Sequence, residues 1–391
     1  MSLLSQLSQR EDAGIATCAS CPRLCRHACP VAEAQARETS SPWNLVVTSG
    51  LLKRGRIEAE SVGALPWSCS SCGACTEACL HKNDVSLWVM LARSRVLAGH
   101  AAPSVVEEVR GHFAIAGNPT GVPLEPVLEQ VVAAAYSSVS PRAGHDVYFP
   151  GCTTLSERPE AAQSFLETVL VRGIQEIQIT EASSACCGLP LLWAGDLEGF
   201  VAHAKRVAQR LSSSKRLVVH DPACAETFAR RYAEFGVTLE PEVISVVELL
   251  AEHFGVSESA PIEAGAAHRR DDRASEAPKL AYLDTCATAR RLGRSGLVST
   301  PRKILALATG SIPAAVPGLS GSSVDCCGAS GLLPLVASST ALAMAEARVA
   351  AFRESGAQRL VVASPRCAAH LARADASIIV RDLTSELAKL L

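Results

Sequence analysis

The sequence predicts a helical, cysteine-clustered N-terminal region followed by two copies of one α/β unit. Three observations carry this expectation. The 16 cysteines fall into three territories, eight before residue 80, four between 152 and 224, and four between 286 and 367. Residues 146–255 and 279–391 repeat one grammar of strand, cysteine and helix. The first 100 residues are short on strand patterns and rich in helix formers between their cysteine clusters.

In chain order, residues 1–105 form the first expected domain, with helix patterns from Val31 to Glu38 and from Leu87 to Val96. The stretch from about 100 to 145, with Pro103, Pro119, Pro123, Pro126 and Pro141, reads as irregular chain, with residues 106–145 as the connecting segment and a helix at 124–136. The first α/β unit spans 146–256. It opens with a short apolar strand from Asp146 that ends at Cys152 and reaches Cys186-Cys187-Gly188. It then runs through a helix and a second strand, Arg216-Leu-Val-Val, to Cys224. The polar stretch 257–278, which contains Arg269-Arg-Asp-Asp-Arg, reads as a linker. The second unit spans 279–391 with the same order: a strand to Cys286, Cys326-Cys327-Gly328, then Arg359-Leu-Val-Val and Cys367. Strands alternating with helices at this spacing imply small parallel sheets covered by helices, with the cysteines at strand ends.

Composition narrows the function. Lys plus Arg total 37 and Asp plus Glu total 39, a balance that gives no electrostatic reason to expect nucleic acid or an anionic membrane as partner. Cysteine at about 4% is below the density of a disulfide scaffold and too high for inert packing, so metal or redox use is expected. The start, Met1-Ser-Leu-Leu-Ser-Gln, has neither a basic opening nor a long apolar run. A cytoplasmic setting with reduced thiols is therefore expected. The uncharged stretch from Cys326 to Ala345 holds Gly328, Gly331 and Pro334, which makes it a poor spanning helix and a better buried loop and helix start.

The N-terminal runs are Cys18-x2-Cys21-x3-Cys25-x3-Cys29-Pro30 and Cys69-x2-Cys72-x2-Cys75-x3-Cys79. The second is the spacing of bacterial ferredoxins, in which three close cysteines grip one iron-sulfur cube and the fourth ligates the other cluster. By that rule one 4Fe-4S cluster takes Cys18, Cys21, Cys25 and Cys79, and the other takes Cys69, Cys72, Cys75 and Cys29. Two closed four-thiolate zinc sites are the alternative, although zinc knuckles do not need the interleaved run. Two departures from the ferredoxin pattern are an extra residue before Cys25 and Leu80 where proline is usual. Trp43, Trp67 and Trp88 are expected to cover the clusters or fill helix packing, and His27 and His81 to tune the clusters or lie solvated.

The repeated elements Gly151-Cys152, Cys186-Cys-Gly-Leu-Pro190 with Gly195-Asp196, Asp284-Thr-Cys286 and Cys326-Cys-Gly-Ala-Ser-Gly331, closed by Cys224 and Cys367, resemble a known domain. It is the cysteine-rich, or CCG, domain of heterodisulfide reductase subunits and of the iron-sulfur subunits of glycolate oxidase, lactate utilisation and anaerobic glycerol-3-phosphate dehydrogenase systems. The resemblance implies an α-helical ferredoxin-like dicluster domain followed by two α/β CCG repeats. The family's complete form ends on Cys-x-x-Cys, and its five cysteines hold a non-cubane cluster. Here Asp221 and Ser364 stand at the first position of that pair, so the repeats keep Cys152, Cys186, Cys187, Cys224 and Cys286, Cys326, Cys327, Cys367. Four thiols suffice for an iron-sulfur cluster or for zinc, with Asp221 or Ser364 adding an oxygen ligand or a hydrogen bond. His220 and His370 read as surface or capped histidines, and Asp196, Asp284 and Arg290 as residues that orient loops.

No Gly-x-Gly-x-x-Gly fingerprint, P-loop or His-Glu-x-x-His is present, so a hydride-handling partner is implied. The expected function is an iron-sulfur electron-transfer subunit. It passes electrons from a flavin-dependent dehydrogenase to a quinone, membrane cytochrome or thiol acceptor, and reaches the membrane only through a partner. The alternatives are an enzyme that reduces a disulfide at a CCG-bound cluster and a zinc-stapled scaffold for assembly.

Overall fold

The computed structural model describes residues 3–136, 145–171, 173, 177–257, 262, 279–318 and 320–390. The expected linker lies outside these apart from residues 257 and 262, as do residues 137–144 of the connecting segment.

Helices Leu3–Ala19, Pro42–Lys53 and Val85–Ala98 pack together in the N-terminal region. Their contact carries one fully buried carboxylate, Glu11, held by Arg95 at 2.7 and 2.6 Å and by Ser49 Oγ at 2.6 Å. A buried charge survives only when it is paired and hydrogen-bonded on every side, and Glu11 meets that condition. The helix patterned from Val31 to Glu38 runs from Pro30 to Gln35, because Ala36 adopts a left-handed conformation at φ 49°. The helix patterned from Leu87 starts at Val85, where Asp84 caps it by accepting from the Leu87 N–H.

The connecting segment departs from expectation. It holds the expected helix, Glu125–Ala135, but also a helix at Ser104–Ala116 where the prolines suggest irregular chain. Pro103 sits immediately before the first turn, where a missing N–H costs nothing, so it starts a helix here. Val106, Val109 and Phe113 form the buried face of that helix.

Each repeat contains a four-stranded parallel sheet. In the first, β1 (Asp146–Phe149), β2 (Ile177–Gln178), β3 (Arg216–Val219) and β4 (Glu242–Ser245) run in the order β2-β1-β3-β4. In the second, β5 (Leu280–Leu283), β6 (Ala314–Ala315), β7 (Arg359–Val362) and β8 (Ile379–Asp382) repeat that order as β6-β5-β7-β8. The central strands β1, β3, β5 and β7 are mostly apolar and buried on both faces, as parallel sheets require. The carboxyl ends of β1, β3, β5 and β7 point to Cys152, Cys224, Cys286 and Cys367, placing the cysteines at the edge where α/β folds build sites.

The repeats are joined to each other and to the N-terminal region by buried polar contacts. Arg158 donates to the Val380 carbonyl at 2.8 Å, and Thr384 Oγ1 donates to the Ala161 carbonyl at 3.0 Å. His220 bridges the repeats: Nε2 donates to Asp382 Oδ1 at 3.1 Å, leaving Nδ1 to accept from the Tyr148 hydroxyl at 2.6 Å. Arg93, fully buried, donates to the carbonyls of Pro66, Trp193 and Cys69 at 3.1, 3.0 and 2.7 Å, tying the second cysteine loop to the first repeat. Trp67 Nε1 donates to that same Trp193 carbonyl at 3.1 Å.

Two glycines mark the closest approaches. At Gly195, φ +88°, a Cβ would stand 2.6 Å from the Arg93 backbone, and at Gly331, φ +76°, it would collide with the Cys69 carbonyl and the Ser70 backbone. Each repeat thus presses one glycine against the N-terminal region. No helix among the described residues is long and apolar enough to cross a membrane.

Gly331→Ala is expected to cost about 2 kcal/mol or more, adding a backbone collision to an unfavourable φ, whereas Gly55→Ala should cost only about 1 kcal/mol. Gly55 shares the positive φ, at +60°, but has open space around it. Urea unfolding compares the two, and equal losses would contradict the docking described. The Asp382 carboxyl, though burial opposes its charge, is held below its ordinary value by His220 and Thr384. Its contribution is therefore present above an ordinary aspartate pKa of about 3.9 and is lost as pH falls through the depressed folded value. Asp382→Asn should lower stability at neutral pH and flatten the acid limb of the stability profile; an unchanged limb would contradict this.

Candidate metal centres

The first thiol set gathers around a small cavity of about 60 Å³ lined by Cys18, Cys21, Cys25 and Cys79, with Cys75 of the second set, Trp43, Asn83 and His81 also in its wall. Cys79 thus reaches the three cysteines of the other run. Asn83 Nδ2 donates to Cys18 Sγ at 3.2 Å and to the Gly14 carbonyl at 2.8 Å, and Trp88 Nε1 holds Asn83 Oδ1 at 3.3 Å. Trp43 Nε1 donates to the Cys18 carbonyl at 2.8 Å, and the Arg23 guanidinium lies 3.6 Å over its ring. Of the three expected tryptophans, Trp43 lines this set, Trp88 reaches it through Asn83, and Trp67 packs at the join to the first repeat. His27 serves through its backbone N–H, which closes the turn Leu24–Arg26.

Burial pushes the Cys25 thiol up to about 11, reinforced by the neighbouring Cys18, Cys21 and Cys79. The second set shows the complementary crossing. Burial raises Cys29 to about 12, with Cys72 and Cys69 adding to the effect, and it raises Cys75 well above the ordinary range with help from Cys29, Cys72 and Cys69. Ser71 at φ +55° and Gly73 at φ +78° curl the loop so that the Ser71 N–H donates to Cys69 Sγ at 3.3 Å. Thiols buried together resist ionisation unless a cationic group offsets them. A metal or iron-sulfur core supplies that positive charge, so the donor chemistry of both sets fits such a core.

Cys72 differs from its neighbours. The Cys326 thiol and, against the burial effect, the Arg290 guanidinium hold it down at about 5. Cys29, Cys72, Cys286 and Cys326 share one apolar cluster with Val31, Leu333 and Met344. The second set therefore adjoins the thiols of the second repeat.

In each repeat the four cysteines converge. Cys186 Sγ lies 3.3 Å from Cys152 Sγ, and the Cys187 thiol pairs with Cys186 and Cys224. In the second repeat Cys327 Sγ lies 3.3 Å from Cys367 Sγ, and Cys326 pairs with Cys286, Cys327 and Cys72. Gly188 at φ +85° and Gly328 at φ +92° turn the chain directly after the paired cysteines. Among the described residues no group of three or more His, Cys, Asp or Glu side chains is arranged to hold a single metal ion.

The supporting residues divide into expected and missed. Asp284 grips Arg302 through two 2.8 Å contacts and accepts from the Gly321 N–H at 2.8 Å, fixing the loop before Cys326. Asp196 caps helix Leu197–Arg210 and pairs with Arg110 at 2.9 Å. Arg290 donates to the carbonyls of Cys72 and Ser322 at 3.2 and 2.9 Å and also reaches that of Val324. All three orient loops as expected. Asp221 and Ser364 spend one oxygen each on helix caps, accepting from the N–H groups of Ala223 at 2.8 Å and Cys367 at 3.4 Å. The histidines differ from the surface reading: His220 lies in the bridge to Asp382, and His370 Nε2 donates to the Ala341 carbonyl at 3.1 Å, both buried. Sequence reasoning misses Arg93 and Arg366. Arg366 precedes Cys367 where the first repeat has Ala223, and that mismatch between the repeats is its one sequence signal.

A family model for a 4Fe-4S dicluster domain matches residues 14–83, and one for a cysteine-rich domain matches twice, at residues 147–229 and 280–372. No curated protein matches the chain. The first match indicates 4Fe-4S clusters in the N-terminal region, and cysteine-rich domains of the second kind can bind further iron-sulfur clusters. The chain is thus a 4Fe-4S dicluster domain followed by two cysteine-rich domains, the layout of iron-sulfur subunits of the heterodisulfide reductase and glycolate oxidase type.

Proposed function

We propose that the chain is the electron-transfer subunit of an oxidoreductase. It takes electrons from a flavin-dependent dehydrogenase and delivers them to a quinone, membrane cytochrome or thiol acceptor. The observation that carries the reading is the continuity of thiols from the second N-terminal set into the second repeat, where Cys72 meets Cys326 beside Cys286 in one apolar cluster. Iron-sulfur clusters, when bound, supply one-electron steps, which suit a chain without a hydride-binding loop and require a two-electron partner upstream.

The residues of the chain do three things in this reading. Cys18, Cys21, Cys25 and Cys79 hold one 4Fe-4S cluster, and Cys29, Cys69, Cys72 and Cys75 hold the other. Trp43 covers the first set and Trp88 holds Asn83 against it, while Arg93 and Arg290 fix the backbone of the second at Cys69 and Cys72. Pro190 and Ala329, just after the two Cys-Cys-Gly loops, line a cleft of about 220 Å³ whose wall also includes Trp193, Leu332, Arg366 and Arg373. Of the surfaces near the repeat thiols, this cleft is the exit we assign to the acceptor.

Cys72→Ser is expected to remove the second N-terminal cluster and to stop reduction of the repeats by an electron donor that reduces the wild-type chain. Cys187→Ser should leave the N-terminal cluster spectra intact. Electron paramagnetic resonance after stepwise reduction reads both variants. Bleaching of the N-terminal signals by Cys187→Ser would contradict the division into separate thiol sites, and a purified protein without iron or sulfide would overturn the relay.

A further inference from the structure

The two repeat sites are not electrostatic copies of one another. Arg366 belongs to the second repeat, on helix Pro365–Ala374, yet its side chain enters the first repeat's site. Its guanidinium lies 5.2 Å over the Trp193 ring, and its Nε stands 3.3 Å from Asp221 Oδ2. Its charge is felt by Cys152, Cys187 and Cys224. Asp221 is itself 1% exposed and caps helix Pro222–Glu226 through Oδ1, which leaves Oδ2 toward the arginine. Neither Asp221 Oδ2 nor Arg366 Nε makes a hydrogen bond, although both are sealed from water. An ion pair buried beside thiols with both facing atoms unsatisfied is poorly explained as a stabilising contact alone, because removing it in favour of apolar packing would cost little.

We propose that Arg366 and Asp221 are positioning residues that set the charge of the first repeat's thiol site, with the cation delivered across the repeat interface. The inference rests on the relay reading, since it assigns an iron-sulfur cluster to Cys152, Cys186, Cys187 and Cys224. A fixed positive charge beside thiolate-bound iron favours the reduced, more negative form, and a fixed negative charge favours the oxidised one. The second repeat is served by a different cross-repeat pair: its own Arg291, whose charge reaches Cys286, is held by Glu226 of the first repeat at 2.8 Å. Its counterpart to Asp221 is the neutral Ser364, and Arg290 attends both Cys286 and Cys72. The two repeats therefore surround their thiols with differently arranged charges, and at the first Arg366 favours the reduced form while Asp221 opposes it.

The test is a reductive titration of the anaerobically purified full chain, followed by electron paramagnetic resonance and iron content. The first-repeat signal is the one that Cys187→Ser removes. Arg366→Gln is expected to shift its midpoint downward, by about a tenfold change in reduced fraction at fixed potential, and Asp221→Asn to shift it upward. Iron content should stay at the wild-type level in both, and Arg366→Lys should restore part of the shift. Opposite shifts at constant iron support the assignment, because a purely structural pair would move both variants the same way or lose the cluster. Unchanged midpoints, shifts of one sign, or iron confined to the N-terminal pair would overturn it. A chain that still passes electrons through its N-terminal clusters in those cases leaves the relay standing, whereas absence of all iron removes the relay itself.

Discussion

The crossing of Cys29 and Cys79 between two cysteine runs is the constraint on which the rest of the molecule depends. Each run alone brings three thiols together on a tight loop, and each needs the other's fourth. The helices between them must therefore fold back so that residues about fifty positions apart in sequence share one site. The buried Glu11–Arg95–Ser49 contact fixes that fold-back, and Asn83, four residues after Cys79, ties the second run to helix Leu3–Ala19 at the Gly14 carbonyl and Cys18 Sγ. A chain held in this way presents its second loop, Cys69 to Cys75, as a rigid surface against which both repeats dock.

Docking of the repeats follows from the same loop. Gly331 lets the second repeat come within backbone contact of it, Gly195 brings the first repeat against the backbone of helix Val85–Ala98 at Arg93, and Arg93 satisfies carbonyls from both sides of the join. These contacts bring Cys72 to Cys326, and with that the N-terminal thiols and the repeat thiols become neighbours in one molecule. The parallel sheets serve this arrangement by holding four cysteines at the carboxyl ends of their strands. Duplication of the unit then allows one repeat to serve the site of the other, as Arg366 does.

Much of this was legible in the sequence, for physical reasons. The central strands of both repeats are covered on two faces, so they read as short apolar runs, and duplication made the pattern recognisable twice. The thiol spacing of the second run is tied to the shape of the loop it must form, which is why the sequence alone pointed to two thiol sets. The helix Ser104–Ala116 was obscured because Pro103 is a breaker inside a helix and a starter at its first turn, and periodicity alone does not separate the two. His220 and His370 looked solvent-facing because the groups that bury them, Asp382 and the Ala341 carbonyl, are distant in sequence. Arg93 and Arg366 act across domain joins, and no local pattern announces a contact of that kind.

The most direct test of the crossed arrangement is non-additivity of iron loss between paired cysteine variants. Cys21→Ser and Cys79→Ser belong to one set, so the double variant should lose the same irons as either single variant, about four. Cys21→Ser combined with Cys29→Ser touches both sets and should lose about eight. The reverse result, with Cys21 and Cys29 sharing one loss while Cys21 and Cys79 add, would show that each run closes on itself and would contradict the account.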